Sequence, residues 1–247
     1  MKNTVKFTFL SILLAGISGF AQANDKEITY KVDFGGYRFK QESAPNSKVE
    51  GGLMGIGYSL YDTKGYWGDI LNFEAVTSVS TNNLSTDLKI GLASPKSVDY
   101  TRYSVGYARS LENVFVVPVS LGLSYATDVL KFKESSLGSY DKLKTDVVSV
   151  DFSIFSHKLD NPYLYWSATL SVPVWKNQTY KGYDDSVAVQ PTGKLVVGHV
   201  FNRNLFVELS YQKQFINKQN DVTINTVTYN LPKTTIDTAL FSVGYVF

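Results

Sequence analysis

The chain ends TALFSVGYVF, residues 238–247. Phe241, Val243, Tyr245 and Phe247 share one parity and Ser242 and Gly244 the other, and a period of two is that of an extended strand. Chain ends normally fray. An end that puts two aromatics among its last three residues must be held, and a strand is held by pairing with another strand.

Candidate partners run through the whole sequence. Near residue 30, YKVDFGGYRF sets Tyr30, Val32 and Phe34 against Lys31, Asp33 and Gly35. GLMGIGYSLY sets Met54, Ile56, Tyr58 and Leu60 against Leu53, Gly55, Gly57 and Ser59, and DILNFEAVTSV sets Leu71, Phe73, Ala75 and Val79 against Asn72, Glu74 and Ser78. The same design recurs around Tyr103, Val105 and Tyr107; from Phe115 to Tyr125; around Val150 and Phe152; from Leu164 to Val174; and from Leu205 to Tyr211. The stretch GKLVVGHVF alternates weakly.

Connections between these strands alternate in length. DTKG, LEN, KLDN and NRN are tight, whereas the stretches near 40–49, 80–98, 131–146, 177–190 and 216–233 are long and polar. Alternation of short and long loops places all the short ones at one end of a sheet, which is an up-and-down meander of about ten strands, with about eight to twelve admissible. The segment 87–97 either lengthens a hairpin or adds strands. With no repeat, linker or break in composition, residues 24–247 read as one domain.

The first residues, MKNTVKFTFLSILLAGISGFAQA (1–23), have the layout of a secretory signal peptide: Lys2 and Lys6, an apolar run to Phe20, then Ala21-Gln22-Ala23. Cleavage there leaves a mature chain from Asn24 that is formally neutral, with no basic excess to attract nucleic acid. The absence of cysteine excludes disulfide scaffolds and thiolate metal sites. Beyond Ala23 no apolar run is long enough for a spanning helix.

The composition of the two strand faces decides what surrounds the barrel. The minor face is mostly Gly, Ser, Ala and Thr, with isolated charges at Lys31, Asp33, Glu74, Arg102, Asp151, Lys194 and Glu208. A water-facing strand surface carries few glycines, because glycine packs nothing and weakens a strand. Small residues suit the crowded interior of a narrow barrel. The continuous apolar face then points outward into hydrocarbon, where every backbone group must pair and only a closed barrel leaves no edge. Aromatics near strand ends, drawn from 17 tyrosines and 15 phenylalanines, fit interfacial girdles. The expected class is all-β, a transmembrane antiparallel up-and-down barrel.

On these features the sequence resembles the bacterial outer-membrane β-barrel proteins of Gram-negative cells. The resemblance rests on the signal peptide, the alternation and the tail, in which Gly244, Tyr245 and Phe247 match the family's closing pattern. It implies a location in the cell outer membrane and assistance from periplasmic chaperones. It also implies a last strand that the barrel-assembly machinery reads and that closes on the segment near Ile28 to Phe39.

The chemistry inside such a barrel is less constrained. Small outer-membrane barrels include omptin-type proteases and lipid A-modifying enzymes, which use a histidine at the outer rim. Here His157 and His199 both adjoin tight turns, at the opposite end, and so read as girdle or interior residues. Asp184-Asp185 reads as a solvated loop pair. No catalytic, cofactor or metal set is expected.

The lumen charges either pair in networks that plug a narrow bore or line a small water path. Lysines at the outer rim, Lys131, Lys133, Lys142 and Lys144 with Lys176 and Lys181, offer charge attraction to lipopolysaccharide phosphates or sit simply in solvated loops. The leading expectation is a non-enzymatic barrel whose long loops contact lipopolysaccharide or other surface ligands, in a membrane of outer-membrane lipids. A small-solute porin is the alternative, and an enzyme on lipid A or peptides the second.

Overall fold

The computed structural model describes residues 26–41, 44–62, 69–82, 97–111, 118–133, 140–156, 163–180, 183–186, 190–201, 204–216, 222–224, 227–229 and 233–247. The signal-peptide reading (1–23), His157, Lys181 and the segment 83–96 fall outside them. The barrel strands are β1 (Lys26–Gln41), β2 (Ala44–Asp62), β3 (Asp69–Asn82), β4 (Ser97–Ser110), β5 (Val119–Lys133), β6 (Tyr140–Phe155), β7 (Tyr163–Tyr180), β9 (Thr192–Phe201), β10 (Leu205–Ile216) and β13 (Thr234–Val246). A short β8 (Tyr183–Ser186) adds to β7, and β11 (Val222–Ile224) pairs with β12 (Val227–Tyr229) as a separate hairpin. Among the described residues no helix is long and apolar enough to cross a membrane, which says nothing of a barrel that crosses by strands.

Each barrel strand pairs antiparallel with its sequence neighbour, β7 pairs with β9, β10 with β13, and β13 returns to β1. The result is a closed ring of ten strands, with no edge left in the ladder. The seam runs from Thr29↔Val246 to Gln41↔Thr234. It continues to the last residue: the Phe247 amide donates to the Ile28 carbonyl at 2.9 Å, and the Val246 amide donates to the Asn204 carbonyl at 2.7 Å. Tyr30 meets the Phe247 ring edge-on, with centroids 5.6 Å apart. Strands on both sides therefore hold the terminus, which is why it can carry aromatics without fraying.

Gly244 has a packing reason as well. A Cβ there would run into the ring of Phe206, which is buried in the lumen, and the carbonyl of Tyr30. The glycine of the tail lets Phe206, its cross-strand neighbour, lie across the barrel floor.

Around the half nearer the termini, the outward parity is apolar and exposed: Tyr30, Val32, Phe34, Met54, Ile56, Phe73, Tyr103, Leu121, Phe152, Leu164, Trp166, Leu170, Leu195, Val197, Leu209, Phe241 and Tyr245 all lie on it. Leu209 alone is 63% exposed. This belt is continuous round the ring and too large for water. Its far edge is marked by tyrosines whose hydroxyls reach acids: Tyr211 donates to Asp237 at 3.0 Å and Tyr125 to Asp146 at 2.8 Å.

Beyond that edge, in the half distal to the termini, the polarity inverts. The outward register row reads Glu50, Arg38, Asp237, Lys213 on four adjacent strands, charges alternating in sign. Inward, Tyr37, Phe39, Val49, Leu53, Val98, Tyr100, Leu130, Phe132, Leu143, Tyr180 and Ile236 form one buried apolar cluster. Two solvents explain one barrel: hydrocarbon outside the proximal half forces polar groups inward, and water outside the distal half restores an ordinary apolar core.

Three expectations need correction. Small and ionic groups do not fill the whole lumen, because its distal half is this apolar core. The stretches 40–49 and 131–146 are not long loops, since β1 reaches Gln41 and β2 starts at Ala44, and β5 reaches Lys133 and β6 starts at Tyr140. Asp184-Asp185 lies in β8, opposite Thr179 and Gln178, rather than in an irregular loop.

Candidate functional site

The inward charges gather at mid-height, where the polar floor gives way to the apolar core. Lys31 and Glu74 stand two strands apart with Gly57 between them in register, and Asp33 and Glu208 stand two strands apart with Ser242 between. Small residues on the intervening strands leave room for long side chains to lie across them. At Gly57 the vacancy is filled by the Lys31 stem, which a Cβ would strike.

Lys31 Nζ thus reaches three carboxylates, Glu208 at 3.3 Å, Asp33 at 3.5 Å and Glu74 at 3.6 Å. Lys194 donates to Glu74 Oε2 at 2.8 Å. β3 and β9 are five strands apart either way round the ring, so this pair bridges opposite walls. A second tie crosses the bore nearer the apolar core: Tyr100 on β4 donates to Asp128 Oδ1 at 2.7 Å, and the same hydroxyl lies 3.3 Å from the Gln214 side-chain amide on β10. Arg102 Nη1 contacts both oxygens of Asp128 at 3.1 and 3.2 Å. Charges removed from water need such partners. Collectively they tie facing walls of the bore together at two levels.

Two acids are less well provided for. Asp33 is 0% exposed, and neither of its oxygens has a hydrogen bond among the described residues; Lys31 is its ionic neighbour. Asp151 faces inward beside Ser171, with Oδ1 unpartnered among the described residues. Among the described residues no group of three His, Asp or Glu could hold a metal ion.

The structure places all seven lumen charges of the sequence reading on inward positions and unites Lys31, Asp33, Glu74, Lys194 and Glu208 in one network. Arg102 joins Asp128 instead, and Asp151 stands apart. Sequence reasoning missed Asp128, Tyr100 and Gln214. Asp128 shares parity with Ser120, Gly122 and Ser124, so its inward direction was available from the alternation.

Lys176 is a correction. Read as an outer-rim residue, it is 5% exposed and lies in the lumen, where its Nζ donates to the Phe215 carbonyl at 2.8 Å. The cause is a bulge in β7: Ser149 pairs with Pro173 but Val148 with Trp175, so Val174 is extra. One inserted residue flips the parity of everything after it.

Of the other outer lysines, Lys131 and Lys142 are exposed and directly opposite each other on β5 and β6. Lys144 donates to Asp146 at 2.8 Å. Lys133 ends β5, and its side chain lies outside the described residues. His199 faces outward on the proximal half, stacked edge-on against Phe201 with centroids 4.4 Å apart.

Solved structures similar to this chain are outer-membrane barrels. The outer-membrane protease OmpT from Escherichia coli matches with a TM-score of 0.52 and 9% identity, over 92% of this chain and 98% of that one. The translocator domain of the autotransporter NalP from Neisseria meningitidis matches with a TM-score of 0.45 and 10% identity, over 99% and 97% of the two chains. A FadL homologue from Pseudomonas aeruginosa gives 0.39 and 8%, over 92% and 91%. No family model and no curated sequence matches. At these identities the likeness is one of fold: an all-β, antiparallel, closed barrel of the outer-membrane class.

Proposed function

We propose that this chain is an integral protein of a bacterial outer membrane, exported by a cleaved signal peptide, non-enzymatic, with a lumen closed to solutes and a distal end that engages lipopolysaccharide. The belt of exposed apolar side chains carries the membrane placement, because only acyl chains can cover a surface of that kind on every strand. Both termini then lie in the periplasm and the distal half projects outward. The barrel-assembly machinery would meet the last strand, with Gly244, Tyr245 and Phe247, before it closes on β1.

Closure to solutes is supported by the Lys194–Glu74 and Tyr100–Gln214 ties, which obstruct the bore at two levels. The non-enzymatic reading is supported by the position of His199 on the lipid-facing wall. Contact with lipopolysaccharide is supported by Lys131 and Lys142. Like charges directly opposite repel; Asp99 stands opposite Lys131 on its other side, and Lys142 has no ion pair among the described residues. Phosphates of a neighbouring lipid would relieve that repulsion through charge-assisted hydrogen bonds.

Planar-bilayer recording with the purified barrel tests the first half, since silence is expected and steady openings would favour the porin reading. Binding to lipopolysaccharide vesicles tests the second. Lys131→Gln with Lys142→Gln should weaken it by about three- to tenfold, and an unchanged affinity would remove these lysines from the account.

A further inference from the structure

We propose that the lumen holds a small-anion site between Lys176 and Arg102, sized for a formate-like ion or the carboxylate head of a small solute. A cavity of about 40 Å³ lies where β4, β5, β6, β7 and β10 face one another, lined by Arg102, Asp128, Thr145, Lys176 and Gln214 among others. At about 10–15 Å³ for each water, it has room for roughly three non-hydrogen atoms.

The donors around it outnumber the acceptors. Asp128 is taken: it accepts from Arg102 and from Tyr100. Arg102 Nε is buried and has no partner among the described residues. Lys176 uses one of its three N–H groups on the Phe215 carbonyl and meets no carboxylate within 4 Å among the described residues. Arg102 is matched by Asp128, and Lys176, 5% exposed, has no ion pair of its own among the described residues. The described lumen as a whole holds five acids to four cations, so it is the unused donors at this cavity, and not a surplus of charge, that an anion would satisfy. The remaining inward acid nearby, Asp151, does not line the cavity. Thr145 and Gln214 add neutral donors at its walls. The β7 bulge is what brings the ammonium here, since without the extra residue it would face outward.

The site is independent of whether the barrel conducts. Its test is the thermal unfolding midpoint of the full mature chain folded in detergent, read by gel mobility, as sodium formate replaces sodium gluconate at constant sodium. The expected result is a rise that saturates with formate in the wild type and is absent in Lys176→Met. If Lys176→Met does not fold, Ala126→Leu serves, because it keeps both cations and fills the cavity that Ala126 lines. The rise should vanish there also. No rise in the wild type, or an equal rise in either variant, overturns the proposal.

Discussion

Lys194 and Glu74 meet at 2.8 Å although their strands stand on opposite walls of the barrel. Their pairing fixes the bore's width at mid-height. It is also the junction through which Lys31, and with it Asp33 and Glu208, joins the network.

Breaking the strut should therefore act on stability and on permeation. Lys194→Met leaves Glu74 with the longer contact to Lys31, and we expect a loss of about 2 kcal/mol, moderated because Lys194 is partly exposed. Glu74→Gln with Lys194→Met should cost less than the sum of the two single changes, by about 1 kcal/mol. Urea titration of the barrel in lipid vesicles measures both. Additive losses would mean that the pair is a contact without coupling.

The tail makes a sharper prediction. Gly244→Val drives a side chain into the Phe206 ring and should cost about 1–3 kcal/mol by overpacking. Phe206→Ala alone empties the floor and also destabilises. Together they should recover much of the Gly244→Val loss, because the smaller residue vacates the space that the larger one needs. Absence of rescue in the same titration would show that Gly244 is required by the Tyr30 carbonyl alone.

Truncation at Val246 removes the Phe247 amide bond to Ile28 and the aromatic contact to Tyr30. A reduced yield of the folded, heat-modifiable form is expected in outer-membrane fractions, while refolding of purified chain in detergent survives. Equal losses in both settings would point to a purely structural role for Phe247.

Much of this was legible beforehand. Alternation gave the strand count and the outward parity of Tyr30, Phe73, Leu209 and Phe241, since in the belt the continuous apolar face is the outward one. At Tyr37 and Phe39 the inward parity of Lys31 and Asp33 continues while the outer solvent changes, so that apolar means inward there. Nothing local in the sequence marks that crossing except Arg38 and Lys40 on the other parity. The partners of Glu74 were unreadable for a different reason, because which residues face each other across a bore depends on ring closure. Lys176 was hidden by a single extra residue in β7.

Depth of the belt can be probed by substitution. Leu209→Arg places a cation in the middle of the apolar surface and should cost about 2–4 kcal/mol of folding free energy in lipid. Thr235→Arg, outward but in the distal half beside Lys40 and Phe215 in register, should cost under about 1 kcal/mol. Similar penalties at both positions would contradict the inversion of solvent between the two halves.

The most direct measurement uses Trp166, exposed on the belt, in a Trp67→Phe and Trp175→Phe background refolded into vesicles of brominated phosphatidylcholine. Bromines on the acyl chains quench indole fluorescence only by contact. Strong quenching of Trp166, against little in vesicles of the unbrominated lipid, is the predicted result. Emission unaffected by the bromines from a fully folded barrel would show that the apolar face does not touch hydrocarbon.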